Sequence, residues 1–180
     1  MSLRARLFIS FLVAALSHNA LAYEQAYDFK VWLGDRAIGE HTYRIFESAD
    51  QTLVESRADY DVKFLFASLF KYRHEANEVW RNTCLVNLSS KTRMNGKRSS
   101  LEGQLTPGGF RLESKSAEGK ETSDAPEPCL ASYAYWDKER LDQSQLVNPQ
   151  TGQISASRLT FVGTTALPKA NLLMQPISAN

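Results

Sequence analysis

Between Val54 and Phe66 the chain alternates without interruption. Val54, Ser56, Ala58, Tyr60, Val62, Phe64 and Phe66 share one parity, while Glu55, Arg57, Asp59, Asp61 and Lys63 share the other. Successive side chains of a strand point to opposite faces, so this period-two segregation predicts a strand with one dry and one wet side. Antiparallel sheets are commonly built this way. The mixed charges on the wet side can pair across neighbouring strands, each pair contributing a few tenths to about 1 kcal/mol.

The same pattern runs on both sides of this segment. Tyr27, Phe29, Val31 and Leu33 alternate before the turn at Gly34-Asp35-Arg36, and His41, Tyr43 and Ile45 follow it. A further strand over about Phe70 to Trp80 places Phe70, Tyr72, His74, Ala76, Glu78 and Trp80 on one parity. Val86, Leu88 and Ser90 continue the series after Cys84. Asn95-Gly96 is a two-residue hairpin signal because both positions tolerate positive φ. Leu101 and Leu105 mark the next strand, Pro107-Gly108-Gly109 the next turn, and Phe110 with Leu112 the strand after it. Ser114 to Pro128 is polar, with Gly119, Pro126 and Pro128, and reads as a surface loop. From Cys129 to Leu141 the apolar spacing lengthens, with Leu130, Tyr133, Ala134, Trp136 and Leu141 fitting a short amphipathic helix. Ile154 to Val162 reads as one more strand. The expected fold is therefore mostly β. It is an antiparallel meander forming a strongly curved sheet or partial barrel, with one short helix at Cys129–Leu141.

The first 22 residues have a different character. Arg4 and Arg6 precede the ten-residue apolar run Leu7 to Leu16, and Ala20-Leu21-Ala22 completes a small-x-small cleavage pattern. This is the layout of a secretory signal peptide cut after Ala22. A spanning helix needs about 20 apolar residues, so a membrane anchor fits less well. The expected organisation is a leader over 1–22, a single β domain over 23–162 and an irregular tail over 163–180. The expected location is the periplasm, with no transmembrane segment in the mature chain. The apolar fraction of 43% and aromatic fraction of 11% argue against disorder. With 21 basic and 20 acidic residues the formal charge is +1. That balance argues against nucleic acid as a partner, since such binding rests on many cation–phosphate contacts.

Export changes how the cysteines are read. Cys84 and Cys129 are the two cysteines of the chain and do not form a C-x-x-C pair, which argues against zinc knuckles and thioredoxin-type chemistry. In an oxidising compartment the default is one structural disulfide. Two buried free thiols are the competing reading.

Two blocks carry a family resemblance. One is Asp61-Val62-Lys63-Phe64-Leu65-Phe66 leading into Tyr72-Arg73-His74-Glu75-Ala76-Asn77-Glu78-Val79-Trp80-Arg81-Asn82-Thr83-Cys84-Leu85. The other is Cys129-Leu130-Ala131-Ser132-Tyr133-Ala134-Tyr135-Trp136 with Leu146-Val147-Asn148-Pro149-Gln150-Thr151-Gly152. Together they resemble a family of uncharacterised exported proteobacterial proteins filed as a domain of unknown function. The resemblance implies a periplasmic antiparallel β protein and supports a bond between Cys84 and Cys129. It carries over no catalytic residue. Members of that family continue past the Asn-Pro-Gln-Thr-Gly turn with more strands, so the resemblance also raises the expectation of an uncovered edge strand, open to pairing with another chain.

Candidate chemistry is sparse. His74 shares a parity with Tyr72 and Glu78, and a histidine among aromatics near a carboxylate is a candidate general base. The alternative is a core histidine hydrogen-bonded to Glu78 or a backbone carbonyl. No G-x-S-x-G nucleophile elbow, H-E-x-x-H motif or phosphate loop occurs. On one strand His74 and Glu78 lie roughly 13 Å apart, too far to share a metal ion. No metal, no cofactor and no catalytic residue is therefore assigned. Phe64 to Phe70, FLFASLF, is read either as a greasy lip for a lipid tail or as a corner buried beneath the Cys129–Leu141 helix. The leading expectation is a non-enzymatic module for a hydrophobic or lipid-like small molecule. Its candidate ligand-binding residues are Tyr60, Phe64, Phe66, Phe70, Tyr72, His74, Tyr133 and Trp136. The alternative is a structural or assembly partner of an envelope protein through an exposed sheet edge. An enzyme using His74 comes third.

Overall fold

The computed structural model describes residues 23–64, 67–158 and 160. Eight strands follow one another: β1 (Tyr23–Leu33), β2 (Arg36–Glu47), β3 (Thr52–Phe64), β4 (Ala67–Arg81), β5 (Cys84–Met94), β6 (Lys97–Thr106), β7 (Gly109–Ser116) and β8 (Gly119–Ala125). They form one antiparallel sheet whose spatial order is their chain order. Short connections of two to four residues join each strand to the next. At Asn95-Gly96 both residues take positive φ, 49° and 86°, as the sequence predicts for a hairpin that follows the twist of its strands.

The meander is as expected, but the sheet neither closes nor curls strongly: among the described residues β1 and β8 remain edges. A second, three-stranded sheet supplies the missing wall. It contains β9 (Ala131–Ser132), β10 (Gln145–Val147) and β11 (Ile154–Ala156), with α1 (Lys138–Leu141) between β9 and β10. This cover lies on the dry face of the large sheet. The core between the two includes Ile45, Val54, Trp80, Leu85, Leu88, Leu101, Phe110 and Leu112 below, with Leu130, Ala131, Ala134, Leu146 and Val147 above.

Two expectations for the second half are corrected. The segment after Ser114 is no loop: β7 continues to Ser116 and pairs with β8, in register from Phe110↔Ala125 to Ser116↔Gly119. Its residues are polar because β8 is an exposed edge strand with water on both sides, so burial imposes no alternation on it. The expected helix over Cys129–Leu141 shrinks to the single turn of α1. Ala131 and Ser132 instead pair in parallel with Leu146 and Val147, and the Leu85 N–H donates to the Leu130 carbonyl at 2.8 Å. Those backbone bonds satisfy groups that a helix would otherwise have paired internally. The Cys84–Cys129 disulfide fastens the start of the cover to β5.

The described part of the FLFASLF run, Ala67 to Phe70, does not sit beneath α1. Arg140 of α1 lies over Trp80, near the opposite end of β4, and Leu69 is 63% exposed. Gly103 shows how tightly the core closes. A Cβ there would stand 2.6 Å from the Phe110 ring, so only glycine fits between that ring and the sheet. The leader, Leu65, Phe66 and the tail from 161 lie outside the described residues, as do Phe161 and Val162 of the expected last strand. Of that strand Ile154–Ala156 is present as β11.

Candidate functional site

The register of the large sheet arranges its dry face in rows. The row Ile45, Val54, Glu78, Leu88 is mostly bulky and packs against the cover. The next row is Tyr43, Ser56, Ala76, Ser90, and the one beyond it His41, Ala58, His74, Thr92. Small side chains in the middle of these rows leave the floor low, and the cover does not fill the gap. The result is a cleft of about 550 Å³. Its floor is formed by His41, Tyr43, Ser56, Tyr72, His74 and Ala76, and its roof by Tyr133, Tyr135, Trp136, Leu146, Pro149 and Gln150. Tyr60 stacks on Tyr72 at 5.3 Å between centroids, and Phe70 on Tyr72 at 6.2 Å, extending the aromatic floor toward the β3–β4 turn.

The two histidines of the cleft are held neutral, and Arg158 lines its edge. His41 Nε2 lies 2.8 Å from Ser56 Oγ, and the Tyr60 hydroxyl is 3.4 Å from His41 Nδ1. A neutral imidazole has one N–H and one acceptor nitrogen, so the ring donates one of these bonds and accepts the other. His74 Nδ1 pairs with Thr92 Oγ1 at 2.9 Å. Burial lowers His41 to about 4, assisted by the neighbouring His74. Burial also lowers His74 to about 4, against the opposing pull of Glu75. Burial raises the Tyr72 phenol, and its hydroxyl donates to Gln150 Oε1 at 3.3 Å, tying floor to roof. At neutral pH both rings are therefore uncharged.

Glu78 and Arg140 close the inner end. Glu78 is fully enclosed, and burial pushes its carboxyl up; Ser132, the Trp80 indole and Arg140 act in the other direction. Its Oε2 accepts from Trp80 Nε1 at 2.9 Å. Of the partners considered for a core His74, Glu78 is not bonded to it; four residues along one strand keep them apart, and the adjacent strand offers Thr92 instead. The Arg140 guanidinium lies 5.5 Å from the Trp80 ring centroid and 4.7 Å from that of Trp136. It pairs with Asp137 and donates to Thr52 Oγ1 at 3.0 Å. Asp137 also caps α1, accepting from Glu139 N at 2.8 Å.

Of the residues picked out in the sequence, Tyr72, His74, Tyr133 and Trp136 line this cleft. Tyr60 and Phe70 adjoin it through Tyr72. Phe64 closes β3 in register with Ala67, with its side chain outside the description, and Phe66 lies outside altogether. Sequence reasoning missed His41, Tyr43, Ser56, Tyr135 and Gln150. His41, Tyr43 and Ser56 share the dry parity of their strands, so parity placed them on the correct face. The small residues Ser56, Ala58, Ala76 and Ser90 on that parity were the available sign of a hollow.

His41 and Ser56 make a base–hydroxyl pair. However, β3 is paired on both sides, so its backbone N–H groups are engaged in the ladders and offer no oxyanion site. A histidine titrating near 4 is also a weak base at neutral pH. Among the described residues no three His, Cys, Asp or Glu side chains gather as a metal site, and no helix is long and apolar enough to cross a membrane.

These features define an open antiparallel β-meander roofed by a small second sheet over an aromatic cleft. The chain belongs to a family described as a domain of unknown function, DUF6134, whose model matches residues 29–172. No curated protein and no solved structure matches it.

Proposed function

We propose that the protein is a non-enzymatic binding module that holds a hydrophobic or lipid-like molecule in the roofed cleft. We further propose that it acts in the periplasm after loss of residues 1–22. The observation that carries this reading is the composition of the cleft: mostly aromatic and aliphatic walls, with neutral His41, His74 and Gln150 among them, and with Glu78 at the inner end and Arg158 as the acidic and basic side chains that also line it. Such walls favour an apolar body, while His41, His74 and Gln150 suit a neutral polar end. A closed or strongly curved barrel is unnecessary for this role, because the cover forms the second wall.

The test is native mass spectrometry and solvent extraction of protein purified from its own compartment, followed by titration with the apolar dye N-phenylnaphthylamine. The folded protein is expected to carry an extractable apolar molecule and to bind the dye. Ala76→Leu raises the floor and is expected to weaken dye binding at least tenfold. Because that variant alters a buried position, its unfolding midpoint is measured alongside. Tyr135→Ala, at the 47% exposed rim, provides a second variant with little risk to the fold. A protein that is empty on extraction and does not bind the dye would overturn the reading.

A second reading, assembly with an envelope protein by strand addition, is favoured by the open edges β1 and β8. Lys120, Glu121 and Asp124 on β8 restrict that edge to a partner of matching charge.

A further inference from the structure

An antiparallel meander sends alternate turns to opposite ends. The β1–β2, β3–β4, β5–β6 and β7–β8 turns share one end, remote from the disulfide and α1. Leu33, Leu69 and Met94 sit beside three of these tips and are 59%, 63% and 41% exposed. Leu69 is turned out by a bulge: Val62 pairs with Phe70 and Lys63 with Ser68, which leaves Leu69 unpaired.

The same end is basic on its wet face. The register sets Arg73 opposite Arg93, and Arg93 opposite Arg98, so three guanidinium groups lie in a row across β4, β5 and β6. Like charges directly opposed destabilise a sheet, and Asp59 offsets only the Arg73 end of this row, so Arg93 and Arg98 would gain from an external anion. Arg73 is paired with Asp59, and Asp61 is engaged by Lys63 and Ser68. Lys71 stands opposite Asp61, whereas Arg93, Lys97 and Arg98 have no acidic partner among the described residues. The arrangement is held firmly. The Asn95 N–H donates to the Lys71 carbonyl, and the Lys71 N–H donates to Asn95 Oδ1, each at 2.8 Å. A recess of about 740 Å³ at this end is lined by Leu69, Lys71, Arg73 and Arg93, with Asp59 and Asp61 and the Tyr60 and Tyr72 rings also at its wall.

We propose that this end docks on the surface of an anionic phospholipid membrane. Leu33, Leu69 and Met94 enter the interfacial layer, and Arg93, Lys97 and Arg98 meet headgroup phosphates. Aliphatic side chains projecting among unpaired cations suit a bilayer, which offers acyl chains behind its phosphates. A nucleic acid would use the cations but would gain nothing from the exposed aliphatic tips. The inference is independent of what occupies the cleft.

The experiment is co-sedimentation of the exported protein with phosphatidylcholine vesicles, with and without phosphatidylglycerol. Binding is expected with phosphatidylglycerol and is expected to fall as salt rises. Each basic residue near an anionic surface contributes roughly fivefold, so Arg93→Gln with Arg98→Gln is expected to lose about 25-fold. Leu69→Asp is expected to weaken binding several-fold, and Ala76→Leu, in the cleft, to leave it unchanged. All three replaced tip residues are exposed, and circular dichroism checks that their variants fold. No binding to phosphatidylglycerol vesicles at low salt would overturn the proposal, as would binding that ignores these substitutions. Retention on heparin or DNA without vesicle binding would also overturn it and would mark a soluble polyanion as the partner.

Discussion

Replacing Arg140 with alanine should loosen the cover from the sheet. The side chain is buried, lies between the Trp80 and Trp136 rings, and reaches Thr52 Oγ1 at 3.0 Å. Losing a charged hydrogen bond to a buried hydroxyl costs about 1.5–3 kcal/mol, and each cation–π contact about 0.5–2 kcal/mol. Asp137 would lose its guanidinium partner but keep its bond to the start of α1. The sum falls near the 3–5 kcal/mol typical of removing one member of a buried pair. For a domain of this size that corresponds to a fall in melting temperature of about 10–15 °C. Denaturant unfolding followed by tryptophan fluorescence measures it, with Trp80 and Trp136 as reporters beside the lesion. Arg140→Met retains bulk between the rings and should recover part of the loss. A cost under about 1 kcal/mol for the alanine variant would show that the cover is held by its apolar contacts alone, and the clamp argument would fail.

Two further outcomes follow from buried groups. His41 and His74 titrate near 4 in the fold and near 6.5 in the unfolded chain. Below 6.5 the unfolded chain therefore takes up protons that the native state refuses. Stability from these residues is complete above about 6.5, falls as pH drops toward 4 and levels off below it, by at most about 3 kcal/mol per histidine. Glu78, raised by burial, works in the opposite sense as pH rises past the ordinary carboxylate range. His41→Gln with His74→Gln should flatten the loss between pH 6.5 and 4 in denaturant titrations, and an unchanged slope would refute the assignment. Reduction of Cys84–Cys129, which spans a sequence separation of 45, should lower stability by about 4 kcal/mol on the loop-entropy model. Intact mass under non-reducing conditions should show a loss of two hydrogens, and two alkylatable thiols would contradict the bond.

The candidate site was half legible before folding. Tyr60, Tyr72 and His74 were assigned to the dry face because their parity is set within their own strands. Tyr133 and Trp136 were assigned to the packing side of a helix that is mostly absent. They face the sheet nonetheless, because the cover runs as a short strand and a turn with the same apolar contacts. The β7–β8 hairpin was hidden because an edge strand wetted on both sides carries no hydrophobic alternation. Leu69 could not be assigned from the FLFASLF run, because its exposure depends on a bulge between Val62 and Lys63 on the opposite strand.

Side-chain period and turn chemistry are local properties, and for this chain they were enough to define a consecutive antiparallel sheet with one oily face. What happens on that face is non-local. Pairing register sets His41 beside Ser56 and Ala58 beside His74, residues up to 16 positions apart along the chain. The return of the chain through Cys129 brings Arg140 between two indoles and leaves space over Ser56 and Ala76. Rows of small side chains become a cleft only when a second layer spans them without filling them, and that depends on how two distant parts of the chain pack together.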